Sequence, residues 1–320
     1  MKIKNFILLA LAALALTGCK SLYGKYERPA VKAAGVVRSP LSDTDTLAVS
    51  DTASFGNLPW RSVFTDPQLQ SHIATALENN YDLLNAALNV KMAEAQLKSA
   101  QLSFLPSFAF TPQGTISSWD GNAAVKTYSL PVSASWTIDL FGTLLSAKRS
   151  SQMALIGMKD YQLAARTRLI SNVANLYYTL LMLDKELELI DEMETLAKDT
   201  WETMQLQKEY GRVRSTGVQS AESNYYSVQA QKVGLKRQLR ETENALSLLL
   251  GQAAGTIARG KFDGQSLPTN FSTGIALQML NNRPDVHAAE MSLAQCFYNV
   301  QTARSRFYPT LTLSAQGGYT

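Results

Sequence analysis

The stretch Leu77–Gly114 occurs again, without a gap, 203 residues further on at Leu280–Gly317. Nine positions carry the same residue, among them Asn79/Asn282, Asp82/Asp285, Phe104/Phe307, Pro106/Pro309 and Gly114/Gly317. Both copies pass from a helical period, through Phe-x-Pro, into strict alternation. A repeat of this length means a fold built twice from one supersecondary unit. The second copy has barely begun its alternating segment at Thr320, so the chain is expected to be a C-terminally incomplete form of a longer design.

The alternating segments define what that unit must bury. Over 107–117, Phe108, Phe110, Pro112, Gly114 and Ile116 alternate with Ser107, Ala109, Thr111, Gln113, Thr115 and Ser117. Over 127–140, Tyr128, Leu130, Val132, Ala134, Trp136, Ile138 and Leu140 fall on one face, and Thr127, Ser129, Ser133, Ser135, Thr137 and Asp139 on the other. Period two is the signature of a strand with two unlike faces. Trp119-Asp120-Gly121-Asn122 supplies the turn between the arms, because Asp-Gly tolerates positive φ. The sequence therefore predicts a strand hairpin over 107–140, each arm long enough to cross a bilayer when tilted. The competing expectation is a soluble antiparallel sheet with one face on a core.

The period then returns to helical. No glycine or proline stands between Met158 and Tyr210, and a helix over 144–208 rises about 98 Å. Leu169, Val173, Leu176, Leu180, Leu183, Leu187 and Ile190 are spaced alternately by four and three, which makes a heptad seam. Tyr210-Gly211 through Thr216-Gly217 turns the chain. A second seam follows from Val218 to Leu249, with Lys232 as its only charged member. An antiparallel helical hairpin over 144–250 results, closed by Gly251. Earlier, Asp66 and Pro67 carry the cap and first-turn chemistry of a short helix, and Pro106 ends the longer one that follows it.

The N-terminus addresses the chain to a compartment. Lys2 and Lys4 precede an apolar run from Phe6 to Leu16, too short to span a bilayer, and small residues follow. Residues 1–18 read as a lipoprotein signal peptide, with Leu16-Thr17-Gly18-Cys19 similar to a lipobox and Cys19 as the lipidated residue (palmitate). Lys20 follows it, not aspartate, and the resemblance to bacterial lipoproteins then implies the outer membrane. Residues 19–58 are a linker rich in Ser, Thr, Ala and Asp. With Cys19 acylated, Cys296 has no partner for a disulfide and is expected to be a small packed residue.

Chemistry is bounded by what is missing. Two histidines, His72 and His287, have no carboxylate or cysteine at ligand spacing, and no phosphate loop or nucleophile elbow occurs. Asp184 with Glu188, and Glu241 with Glu243, read as solvated helix faces. A net charge of +4 is too small to argue for nucleic acid. The chain is read as neither an enzyme nor a cofactor or metal protein.

Several motifs resemble those of the TolC-like outer-membrane efflux proteins, in particular the NodT-type lipoprotein branch. They are Trp60-x-x-x-Phe64-x-Asp66-Pro67-x-Leu69, Ser135-Trp136-x-Ile138-Asp139-Leu140-Phe141-Gly142, Gly217-x-x-Ser220, Leu248-Leu249-Leu250-Gly251, and Asn282-Arg283-Pro284-Asp285-Val286 with Ala289-Glu290 and Phe307-x-Pro309. One departure is Ala221-Glu222, where an aspartate is frequent in the family. The resemblance implies a mainly α fold with a β-hairpin: a long antiparallel helical hairpin plus transmembrane β-barrel strands, a TolC-like α/β barrel protomer. Residues 59–273 would form the first repeat and 274–320 the start of the second. It implies a homotrimer in the outer-membrane lipid and a passive efflux channel. An inner-membrane pump would drive transport through a periplasmic adaptor, also called a membrane fusion protein. Arg212, Arg214, Thr216, Gly217 and Ser220, at the hairpin tip, are the expected adaptor-docking residues. The alternatives are a periplasmic coiled-coil scaffold or adaptor, and a non-functional fragment of the channel.

Overall fold

The structure is a computed structural model, and it describes residues 24–29, 59–118, 120–121, 123–265 and 283–319. The signal segment, Cys19, most of the linker, turn residues Trp119 and Asn122, and residues 266–282 lie outside the described residues. Two compact units divide the chain: one takes in 86–162 with both terminal segments, the other 40–85 and 163–276.

In chain order, α1 (Trp60–Val63) and α2 (Pro67–Asn79) open the described body, and α3 (Tyr81–Leu102) leads to the strands. These are β1 (Ser107–Phe110), β2 (Gln113–Ser117) and β3 (Val125–Ile138). The long helices α4 (Thr143–Glu209) and α5 (Ser215–Leu249) follow, then α6 (Pro284–Ser305) and β4 (Leu311–Tyr319). Among the described residues no helix is long and apolar enough to cross a membrane.

The first unit is organised on β3. Its residues Val132–Ser135 pair antiparallel with β1 on one edge, and its earlier part pairs with β2. Its other edge pairs with β4 from Leu130↔Tyr319 to Ile138↔Leu311. The first strand of the second copy thus lies directly beside the hairpin of the first. One expectation is corrected here. The arm over 107–117 is not one strand but two, broken at Thr111–Pro112. Pro112 has no N–H to give to the ladder, although the Thr111 amide still donates to the Pro131 carbonyl at 3.2 Å. The turn itself is as the sequence suggests: Asp120 and Gly121 have φ of 54° and 76°, the left-handed pair that a tight hairpin demands.

The second unit holds the main hydrophobic core. Leu69, Ile73 and Ala76 of α2 pack with Val173, Tyr177, Leu180 and Leu181 of α4, and with Leu246 and Leu250 at the end of α5. The heptad reading places these residues well: Leu180, Leu183 and Leu246 are fully buried. A smaller cluster of Ile190, Ala197 and Val228 continues the seam. The Asp66 side chain caps α2 by accepting from the Gln68 amide at 2.8 Å. Asn80 separates α2 from α3, its side-chain oxygen accepting from the Leu83 amide and its amide nitrogen donating to the Leu249 carbonyl.

Cys296 corrects a second expectation. It is exposed, because the buried face of α6 runs through Ala294, Tyr298, Gln301 and Ser305. At about 100° per residue, Cys296 lies well off that face.

Candidate functional site

The sheet sorts its side chains by chemistry. Ser107 faces Ser135 and Ala109 faces Ser133; Gln113 faces Ser129, Thr115 faces Thr127, and Ser314 faces Ser135 from the other edge. The register therefore extends one hydroxylated face across all four strands. The Ser107 hydroxyl donates to the Ser135 carbonyl at 3.2 Å, and the Thr137 and Thr312 hydroxyls lie 3.4 Å apart. No residue of this face in the four strands carries an ionisable side chain. On the opposite face Phe108, Ile116, Tyr128, Trp136 and Leu313 are all exposed, Phe108 by 74%. Exposed apolar area of this extent marks a surface awaiting lipid or protein.

The hairpin tip is built by two glycines. Gly211 has a φ of 69°, and the amides of Gly211 and Arg212 donate to the Lys208 and Gln207 carbonyls at 2.9 and 2.8 Å. This is the Schellman arrangement that terminates α4. Arg214 then caps α5 without a side-chain bond. Arg212, Arg214, Thr216 and Ser220 are exposed and Gly217 is half-buried. Val218, next to them, is buried in the seam.

Two polar networks in the second unit were missed in the sequence. The Tyr177 hydroxyl donates to Asp66 Oδ2 at 2.6 Å and accepts from the Gly260 amide at 3.0 Å. Gln265 donates to the same carboxylate oxygen at 2.8 Å. Burial opposes ionisation of Asp66, but the bonds from Tyr177, Gln265 and the Gln68 amide outweigh it and hold the carboxyl below the usual aspartate value. Burial, with the hydrogen bond to Asp66 next, pushes the Tyr177 phenol well above the usual tyrosine value. The second network centres on Arg259, which bonds Asp184 through Nε at 2.5 Å and Nη2 at 2.8 Å, and Glu243 through Nη1 at 2.6 Å. Asp184 and Glu243 are thus not the solvated carboxylates that the sequence suggests, and Glu243 is buried. Both networks fasten the connection after α5 to the helices.

Asp66 makes a pH-dependent prediction. Its folded pKa is depressed, so its contribution is present above the unfolded aspartate value of about 3.9 and is lost as pH falls through the folded value. Asp66→Asn is expected to flatten the acid limb of the stability profile below about pH 4 and to lower stability near neutrality by about 1–3 kcal/mol. Urea unfolding across pH, followed by tryptophan fluorescence, measures both.

Lys232, the lone charge in the seam, turns its ammonium to Asp191 at 2.7 Å and Glu194 at 2.6 Å. Those bonds, Asp191's first, raise its pKa above the usual lysine range. The histidines are both partnered: His72 Nε2 lies 2.7 Å from the Ala258 carbonyl, and His287 Nδ1 lies 2.6 Å from Asp160.

Residues 72–252 match the family described as outer membrane efflux protein, and the chain belongs to that family. It is 29% identical over 313 residues to the cation efflux system protein CusC of Escherichia coli K12, covering 95% of this chain and 66% of that protein. It is 26% identical over 305 residues to the probable outer membrane lipoprotein SilC of Salmonella typhimurium, with 94% and 65% covered. A crystal structure of CusC, described in terms of folding and transmembrane channel formation, superposes with a TM-score of 0.74 at 25% identity, covering 92% of this chain and 67% of that one. The chain spans about two thirds of the length of these curated relatives. The family is one of outer-membrane proteins, and the outer membrane is where this chain belongs.

Proposed function

We propose that the chain is the outer-membrane channel subunit of a tripartite efflux system: a passive conduit, closed as a homotrimer and driven by an inner-membrane pump through a periplasmic adaptor. The observation that carries this reading is the sheet, with Phe108, Ile116, Tyr128, Trp136 and Leu313 exposed on one face and an uncharged, largely hydroxylated face opposite. In hydrocarbon each backbone polar group needs a partner, so a sheet with open edges must close into a barrel. Four strands are too few, so closure draws on further strands and on other copies. The polar face then lines the lumen. A wall without fixed charge binds no ion tightly, as suits a conduit rather than a filter.

The helical hairpin supports assembly with similar hairpins. Outside the seam, α4 exposes Met182, Leu189, Met193 and Leu196, again at spacings of seven, four and three, and α5 exposes Tyr226 and Val233 seven apart. A second heptad stripe is what a helix needs when it has neighbours on two sides. Leu196 is 68% exposed in the single chain, so Leu196→Asp is expected to change the fold's own stability by no more than about 0.5 kcal/mol. Placing a carboxylate in the assembled seam costs several kcal/mol, so the variant is expected to run as a monomer where wild type cross-links as a trimer.

The N-terminal segment supports the lipid anchor. The Gly24 carbonyl accepts from Arg149 Nη1 at 3.3 Å and Gln301 Nε2 at 3.2 Å, near the ends of α4 and α6 that adjoin the strands. Five residue steps lead from Gly24 to Cys19, a reach of at most about 18 Å, so an acyl chain on Cys19 would enter the membrane that the strands cross. The exposed tip, with Arg212 and Arg214, is the surface offered to the adaptor.

Membrane fractionation followed by planar-bilayer recording tests the whole reading. Expected are outer-membrane recovery, a detergent-stable trimer and ohmic conductance. Recovery as a water-soluble periplasmic protein, without conductance, would replace the channel with a coiled-coil scaffold.

A further inference from the structure

The place where helices meet strands in the first unit carries an unusual charge pattern. Segments 98–106, 139–149 and 302–310 contain Lys98, Lys148, Arg149, Arg304 and Arg306, against Asp139 as the only acid. Asp139 is used locally, accepting from the Leu145 amide at 2.8 Å, and Arg149 holds Gly24. Among the described residues, Lys98, Lys148, Arg304 and Arg306 have no carboxylate partner. Among the described residues the ion pairs of this unit are Arg28–Glu290, Lys159–Glu94, Arg283–Asp285 and His287–Asp160.

An aromatic collar lies at the same level. Phe141 and Tyr308 stack with centroids 4.8 Å apart, and Phe307 is 91% exposed. Trp136, on the apolar face of β3, donates its indole N–H to the Phe104 carbonyl at 2.9 Å. The Lys148 ammonium lies 5.8 Å from the centroid of the Phe104 ring, which puts this cation on the side of the junction that the apolar face occupies. Eight residues along β3 from Trp136, Tyr128 forms a second aromatic level. That is about 26 Å along the strand, or about 20 Å of height at a tilt near 40°, close to the apolar band of a membrane barrel.

Building on the channel reading above, we propose that this junction is a headgroup-binding collar for anionic phospholipid of the periplasmic leaflet. Trp136, Phe307 and Tyr308 sit at the interface, and Lys148, Arg304 and Arg306 hold the phosphates. Aromatic side chains favour the headgroup level because one end is apolar and the other polar. Unpaired cations just beneath them meet the negative surface potential of an anionic leaflet. The cations cluster at this level: within the four strands the hydroxylated face carries no charge, and the apolar face carries only Lys126, beside Tyr128 at the far end.

The test reconstitutes the full-length protein, purified in detergent, into vesicles of pure phosphatidylcholine and of phosphatidylcholine mixed with phosphatidylglycerol. The expected result is preferential retention of phosphatidylglycerol in native mass spectra and a higher melting temperature in the mixed vesicles. Each cation removed is expected to reduce the preference about fivefold, so the triple variant K148Q/R304Q/R306Q should lose it. The charge-conserving K148R/R304K/R306K should keep it, which separates lipid binding from damage to the fold. Equal retention of the two lipids by wild type, or an undiminished preference in the glutamine variant, overturns the collar while leaving the channel reading in place. A wild-type protein that never enters vesicles overturns both.

Discussion

Arg259→Ala is expected to lower the stability of the helical unit by about 3–5 kcal/mol, the range for removing one partner of a buried ion pair. The guanidinium is 15% exposed and the Glu243 side chain 8%. Hydrogen bonding to Asp184 first, then to Glu243, raises its pKa against the opposing effect of burial, so it remains a cation at every accessible pH. Without it, Glu243 is left charged and unpaired beside the fully buried Leu246 and Ser247. The second partner sharpens the expectation. Asp184 is 40% exposed and can turn to water, so Asp184→Asn should cost less than the arginine. Glu243→Gln combined with Arg259→Met removes both buried charges, and it is expected to recover more than half of the loss, because two apolar or neutral groups replace an orphaned ion. Urea unfolding in detergent, read through tryptophan fluorescence, closes the double-mutant cycle. Additive losses in that cycle would mean that the two residues act separately.

The same residues mark where the sequence stops being readable. Helices and strands followed from periodicity because each packs one face. Leu169, Val173, Leu176, Leu180 and Leu183 recur at threes and fours, and all but the half-buried Leu176 are buried; the alternation over 127–140 became β3 at Val125–Ile138. Arg259 lies in the irregular stretch after Gly251, where no period exists, and it meets Asp184 from 75 positions away. Neither local spacing nor composition could join the two. Glu243 was misread for a related reason: in a helix a carboxylate looks solvated until its distant cation is known. Cys296 shows that a helical pattern alone does not set phase: the covered face runs through Ala294, Tyr298, Gln301 and Ser305 and leaves it outside. Pro112 is legible, because a proline inside an alternating run signals a broken ladder. The turn between α4 and α5 was readable through Gly211 and Gly217, while a docking role for its residues is a proposal. The collar was not readable, because its cations come from three segments that only the fold brings to one level.

The second large effect concerns Gly251, where sequence and fold agree on the residue and the structure adds the reason. The glycine has a φ of 66° and closes α5: its amide donates to the Leu248 carbonyl at 3.1 Å, and the Gln252 amide donates to the Ser247 carbonyl at 3.0 Å. That pair of bonds requires the left-handed conformation, which costs an L-residue about 1–2 kcal/mol. A side chain meets a second obstacle. A Cβ added at 251 would lie 2.7 Å from the Asn79 carbonyl oxygen, a backbone atom at the end of α2 that cannot swing aside. The neighbouring Asn80 holds the two helix ends together through its bond to the Leu249 carbonyl. Gly251→Val therefore adds steric displacement to conformational strain, and the expected loss is about 3 kcal/mol or more. Gly211→Val is the control. It has nearly the same φ, 69°, but a Cβ there meets nothing within 4 Å, so its loss should stop near the strain alone, about 1–2 kcal/mol. Equal losses at the two positions would show that the Asn79 contact is not what makes Gly251 irreplaceable.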